Sequence, residues 1–186
     1  MEIKIITPPA TEPMTLDEAK HYLRISGTDD DTLIPGWIIQ ARKYCEGYQK
    51  RKYITQTLEG YLNNFPSGSI DIRHCGPVQS ITSIIYTNSE GVAHTVDPSD
   101  YSLDNISFTN KIDLAYGKIW PSATLKPANG VKVTMVCGYG AASAVPETVK
   151  IAMALHMKVL HDDLTVEERA KMEDIRDKML MADRVW

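Results

Sequence analysis

The chain has 186 residues, enough for one domain of ordinary size, and 43% of them are hydrophobic against 24% charged, which excludes wholesale disorder. Its formal net charge is −4, so it lacks the surplus of Lys and Arg that gripping DNA phosphates requires. Cys45, Cys75 and Cys137 are odd in number and form no CxxC pair, which argues against a disulfide framework and points to free thiols in a reducing cytoplasm.

Residues 1–13 contain no signal-peptide run and read as an extended lead-in, because Pro8, Pro9 and Pro13 block a helix. Thr15 opens a capping box with Glu18, predicting a short helix over 15–25 with Leu16, Ala19 and Leu23 on one face and Gly27 as its stop. Asp29, Asp30 and Asp31 then lead into a second helix over 32–52, with one of the carboxylates expected to cap it. Its wide apolar face runs through Leu33, Trp37, Ala41, Tyr44 and Tyr48, and the basic Lys50, Arg51 and Lys52 suit the negative end of the helix dipole.

From 53 to 140 β-branched and aromatic residues dominate, with turn residues every eight to twelve positions. Strands are predicted near 54–62, 69–74, 78–87, 92–97, 101–104, 111–115 and 131–138, with a hairpin turn at Asn88–Gly91. Gly138 and Gly140 let the chain turn sharply out of the last strand. A helix over 146–162 starts at Pro146 and Glu147, and a second capping box, Thr165 with Glu168, starts a last helix running to about 183. The expected fold class is α+β: a mainly helical body of two N-terminal and two C-terminal helices around a central antiparallel β-rich region. Residues 1–163 form one domain in this reading, and 164–186 a helical extension.

Patterns for chemistry are lacking. His156 and His161 are five apart and diverge around a helix, unlike the i, i+4 pair of a zinc site. Asp29–Asp31 lacks the EF-hand spacing, and Gly138-Tyr139-Gly140 has neither a P-loop lysine nor a dinucleotide fingerprint. No GxSxG elbow occurs. No catalytic residue, cofactor site or metal site is therefore expected, and no stretch reaches the length of a membrane helix. The last helix carries a narrow stripe of Met172, Ile175, Met179 and Trp186, which fits either core packing or a partner-docking surface, since Met adapts to varied surfaces and Trp anchors interfaces.

An ordered set of segments points further. Pro13-Met-Thr-Leu-Asp-Glu-Ala-Lys-His-Tyr-Leu-Arg24, the acidic step into Leu33-Ile34, and the helix through Tyr44 and Glu46 resemble the opening of the phage head–tail connector (adaptor) family. Gly76-Pro77-Val78-Gln-Ser-Ile81, Tyr86 with Gly91, Asp100-Tyr101-Ser-Leu-Asp104, Val131-Lys-Val133, Cys137-Gly-Tyr-Gly140 and Val145-Pro-Glu-Thr-Val-Lys150 continue the likeness, over about residues 13–161. The chain departs from that pattern at Asp162-Asp163, where such connectors often carry a basic residue, and 164–186 lies outside the match.

The resemblance implies a non-enzymatic structural subunit of a virion neck, assembled in the host cytoplasm. Its partners would be copies of itself in a ring of roughly twelve, a portal protein, and a tail-side neck or completion protein. DNA would pass through the channel without specific binding, in keeping with the acidic balance. The expected interface residues are Trp37, Tyr44 and Tyr48 toward a neighbouring subunit, and Met172, Ile175, Met179 and Trp186 toward the portal or a neighbour. The competing reading is a small host cytoplasmic ligand-binding protein or enzyme, with a pocket between helices and sheet.

Overall fold

The computed structural model describes residues 1–182 and Arg184. The backbone forms two compact units: Met1–Pro9 with Thr55–Gly138, and Ala10–Ile54 with the chain from Tyr139 onward. Both are discontinuous in sequence.

The first unit is all β. Strands β1 (Glu2–Thr7), β2 (Gln56–Leu62), β4 (Val78–Thr87), β5 (Ala93–Thr95) and β8 (Val131–Cys137) make a five-stranded antiparallel sheet in the order β1-β2-β8-β4-β5. Strands β3 (Ile70–Asp71), β6 (Tyr101–Asp104) and β7 (Lys111–Leu114) make a smaller antiparallel sheet in the order β3-β7-β6. In β8, Val131, Val133, Met135 and Cys137 are buried while Lys132, Thr134 and Val136 are half-buried, the period-two pattern of a strand with one face on a core. These four residues join Leu58, Ile84, Ile70 and Ile112 in a single cluster to which both sheets contribute. The predicted β-region boundaries hold to within a few residues. The turn at Asn88–Gly91 does join β4 to β5, with Gly91 at φ +82 and Asn88 Oδ1 accepting from the N–H groups of Glu90 and Val92.

Two β-region expectations need correction. The lead-in is a strand: β1 pairs with β2, Glu2 opposite Tyr61 and Ile5 opposite Leu58. Its prolines, at 8 and beyond, follow the strand and do not interrupt it. The strand expected over 69–74 is only two residues long, because Asp71 turns the chain. Its carboxylate accepts from the N–H (3.0 Å) and Nε (2.7 Å) of Arg73, and a single 3-10 turn, Arg73–Cys75, follows.

The second unit is helical: α1 (Leu16–Leu23), α2 (Ile34–Gln49), α3 (Glu147–His161) and α4 (Val166–Met181). Both expected capping boxes are present, Thr15 with Glu18 and Thr165 with Glu168. Helix α1 ends earlier than expected, at Arg24 in the left-handed region (φ 58), so Gly27 is not its stop. No aspartate side chain caps α2. The Asp30 carbonyl accepts from Leu33 and Ile34, while the Asp31 carboxylate pairs with Lys20 at 2.6 Å. The basic run is not a solvated helix end either: Lys50 turns the chain at φ 54, Arg51 is buried with its guanidinium 5.6 Å from the Tyr139 ring, and Lys52 lies 3.5 Å from Glu46. Gly138 and Gly140 both have positive φ, as the sharp exit from β8 demands. Ile34, Ile38, Ala41 and Cys45 of α2 pack with Val149, Ala152, Met153 and Met157 of α3 and with Leu180 of α4 in one apolar cluster.

Candidate interaction surfaces

In the helical unit, the aromatic stripe of α2 is largely engaged by the chain's own C-terminal helices. Trp37 is half-buried and meets the ring of His161 edge-on at 5.3 Å. Tyr44 stacks on His156 at 4.4 Å, and the Arg176 guanidinium lies 4.0 Å from the centre of the Tyr44 ring. Tyr48 stacks on Tyr44 and carries Arg184 at 4.7 Å from its ring centre.

Arg176 is the hub of this arrangement, and it is 4% exposed. Nη2 donates to the Tyr44 hydroxyl (2.6 Å), Nε to Asp177 (2.8 Å), and Nη1 lies 2.9 Å from His156 Nδ1. Since a guanidinium can only donate, His156 must accept at Nδ1 and carry its proton on Nε2. The Tyr44 hydroxyl in turn donates to Asp177 at 3.1 Å, and Gln49 Nε2 donates to the Leu180 carbonyl at 2.9 Å. Periodicity alone pointed to Met172, Ile175 and Met179 on α4. The residues that α4 buries are Arg176 and Leu180. Met172 and Met179 flank them half-buried, and Ile175 is half exposed, at 50%. Trp186 lies outside the described residues. Outside its buried side α4 thus leaves Ile175 and, about a third of a turn around the helix from it, Met181 exposed.

Burial pushes the His156 imidazole down to about 4, helped by the charge of Arg176 and opposed by Asp177. Burial also pushes the Tyr44 hydroxyl and the Cys45 thiol up to about 12. The folded state thus favours neutral His156 over the unfolded chain, where it titrates near its ordinary value of 6.5. Stability from this residue is complete above pH 6.5 and falls as pH drops toward 4, by roughly 3 kcal/mol in all at about 1.4 kcal/mol per pH unit. Urea titrations at pH 7, 6 and 5 should show this slope in the natural chain. They should show little of it in His156→Gln, which keeps an acceptor and cannot titrate.

The β unit carries exposed apolar residues that periodicity does not flag. Ile106 and Phe108 lie in the loop between β6 and β7, and Tyr116 and Ile119 lie beyond β7, with Ile106 95% exposed. Such residues carry no sequence signal except that they interrupt polar turns. Ile3, Ile5 and Ile6 of the edge strand β1 are also exposed. Beside it, Met1, Ile3, Leu62 and Pro66 line an open groove of about 320 Å³, with Ser69, Asp71 and His74 on its wall. Among the described residues, no group of three or more His, Cys, Asp or Glu could hold a metal ion, and no helix is long and apolar enough to cross a membrane. The exposed Ile106, Phe108, Tyr116 and Ile119 and the isoleucines of β1 are apolar or aromatic side chains of the kind that suit contact with other macromolecules.

Comparison with known proteins agrees with this picture. The family profile described as phage gp6-like head-tail connector protein matches residues 13–115. No curated protein matches the sequence. Among solved structures, a chain from the neck of an empty GTA particle computed with C6 symmetry superposes with a TM-score of 0.82 at 17% identity, covering 100% of this chain and 96% of that one. A chain from the virion of a native gene transfer agent (GTA) particle gives 0.80, and one from the neck of a native GTA particle computed with C12 symmetry gives 0.74, with the same identity and coverage. At 17% identity the likeness is one of fold, and it extends over both units, including the α4 region beyond the family match.

Proposed function

Since the chain belongs to the phage gp6-like head–tail connector family, we propose that it is a non-enzymatic subunit of a ring that sits beneath the portal of a phage or prophage particle, extends the DNA channel and joins the head to a tail or neck protein. The family match over more than half the chain carries this reading. It is supported by the fold shared with chains from neck structures computed with C6 and C12 symmetry, symmetries that side-by-side copies of one subunit would generate. The net charge of −4 fits a channel wall along which DNA slides without being held. The ring would contain roughly twelve copies, each presenting one surface to the portal and another to the tail-side protein.

The portal contact is assigned to α4. Its exposed Ile175, flanked by the half-buried Met172 and Met179 at helical spacing, forms an adaptable apolar strip on a helix whose inner face is already anchored. Trp37 and Tyr48 remain half-exposed enough to contribute at their rims, whereas Tyr44 is committed to Arg176, His156 and Asp177.

The test is to co-purify the full chain with the portal protein of its own particle and image the complex. A ring of this chain on the portal is expected. The Ile175→Asp variant is expected to keep its melting temperature, since the side chain is half exposed, and to lose at least tenfold in portal affinity. Failure of the natural chain to bind the portal overturns the assignment.

A further inference from the structure

The five-stranded sheet of the β unit has two open edges, one at each end. At one end lies β1, six residues long and exposed throughout. At the other lies β5, also exposed throughout. The outward groups of β5 follow from its pairing. The N–H of Val96 donates to Ile84 and the N–H of Asn88 donates to Val92, so residues 92, 94 and 96 face β4 in the ladder. Ala93 and Thr95 therefore turn their N–H and C=O groups away from the sheet, four ladder positions open to an added strand.

Natural edge strands are normally blunted by proline, clustered lysine or inward charge. Strand β1 has no proline, a single lysine and three exposed isoleucines, Ile3, Ile5 and Ile6. Its register shift falls between Ile5 and Thr7, so Glu2–Ile5 stay regular and open to a strand, and the apolar groove beside Ile3 offers a seat for side chains arriving with one, such as the exposed Val92 just before β5.

We infer that these two edges are the subunit junction: β1 of one copy adds to the outer side of β5 of the next, so that the sheets run on from subunit to subunit. This rests on the ring reading given above. A β1-to-β1 contact would be two-fold and closed, whereas joining two different edges of one sheet is head-to-tail and propagates until the rotation closes. Strands spaced about 4.8 Å apart, five from each of roughly twelve copies, close a circle about 90 Å across, ample for a DNA channel. A junction of four ladder positions and a few side chains covers less than the roughly 800 Å² per partner of a stable isolated pair. Dimers are therefore not expected, and closure, which holds every subunit twice, supplies the remaining stability.

Two variants of the full chain, assembled on the portal, test the junction. Ala93→Pro removes one outward N–H and no ladder bond to β4. Ile3→Cys combined with Thr95→Cys places thiols at the two edges, while the native Cys45, Cys75 and Cys137 are all buried. Ala93→Pro is expected to melt like the natural chain and to leave the portal without a closed ring. The cysteine pair, treated with a short bismaleimide, is expected to yield a ladder of covalent oligomers that neither single variant gives. A complete ring from Ala93→Pro with no ladder from the cysteine pair overturns the junction and leaves the ring reading intact. If Ala93→Pro melts lower, the ladder alone decides, and its absence overturns the proposal. If the natural chain itself forms no ring on the portal, the ring reading fails first and the junction falls with it.

Discussion

Replacing Arg176 with Ala should release α4 from the helical unit and cost about 3–5 kcal/mol, the range for removing one partner from a buried charged network. The loss has three parts. The guanidinium fills the space over the Tyr44 ring at 4.0 Å, so its removal leaves a void. His156 Nδ1 and the Tyr44 hydroxyl lose their donors while remaining mostly out of water. Asp177, partly exposed, recovers solvent and softens the total. What then holds α4 is chiefly Leu180 and the bond from Gln49 to the Leu180 carbonyl, little for sixteen residues. Limited proteolysis should cut the variant between 165 and 182 while α1–α3 stay protected, and the far-UV signal should fall by about one helix. Arg176→Lys should not rescue it, because an ammonium cannot reach three partners in one plane. Full protection of α4 in Arg176→Ala would show that apolar contacts alone suffice.

The second large effect is expected at Glu46, 4% exposed near the end of α2. Its carboxylate accepts from the Tyr53 N–H at 3.0 Å and lies 3.4 Å from Arg42 and 3.5 Å from Lys52. Its carbonyl accepts from the N–H groups of Lys50 and Arg51. One residue thus ties off the helix twice, through its backbone and through its side chain, and fixes the chain that leaves it. Glu46→Ala strands the Tyr53 N–H and leaves Arg42 leaning on Glu12 alone, at 2.6 and 3.1 Å. A loss of about 3–5 kcal/mol in denaturant unfolding is expected. Glu46→Gln keeps the acceptor for Tyr53 and gives up the charge, so it should lose about half as much. Equal losses in the two variants would mean that the charge carries the whole effect.

Local signals were readable from the residues and remote ones were not. Each capping box is a conversation across three positions, and both stand where Thr15 and Thr165 place them. The alternation in β8 is visible because one face of that strand is buried along its whole length. Strand β1 shows no such alternation, since neither face is covered, and the partner that makes it a strand lies more than fifty residues away in β2. On α4, a hydrophobic stripe can select Met172 and Ile175, but it cannot select Arg176. A buried guanidinium is invisible to hydropathy, and its acceptors, Tyr44 and His156, belong to two other helices. Likewise the three aspartates look like a helix cap, yet Asp31 is drawn to Lys20 and the turn before α2 is closed by backbone bonds.

The position of β8 bears on how the polypeptide matures. It is the last strand to be synthesised, yet it lies at the centre of its sheet, between β2 and β4. Until it emerges from the ribosome, β2 and β4 have no common neighbour and their apolar faces stay wet. The helical unit is in the same position, because α1 and α2 must wait for α3. Nascent chains stalled before residue 131 should therefore be protease-sensitive and dependent on chaperones, and both halves should gain protection late, in quick succession, as non-local pairings of this kind require.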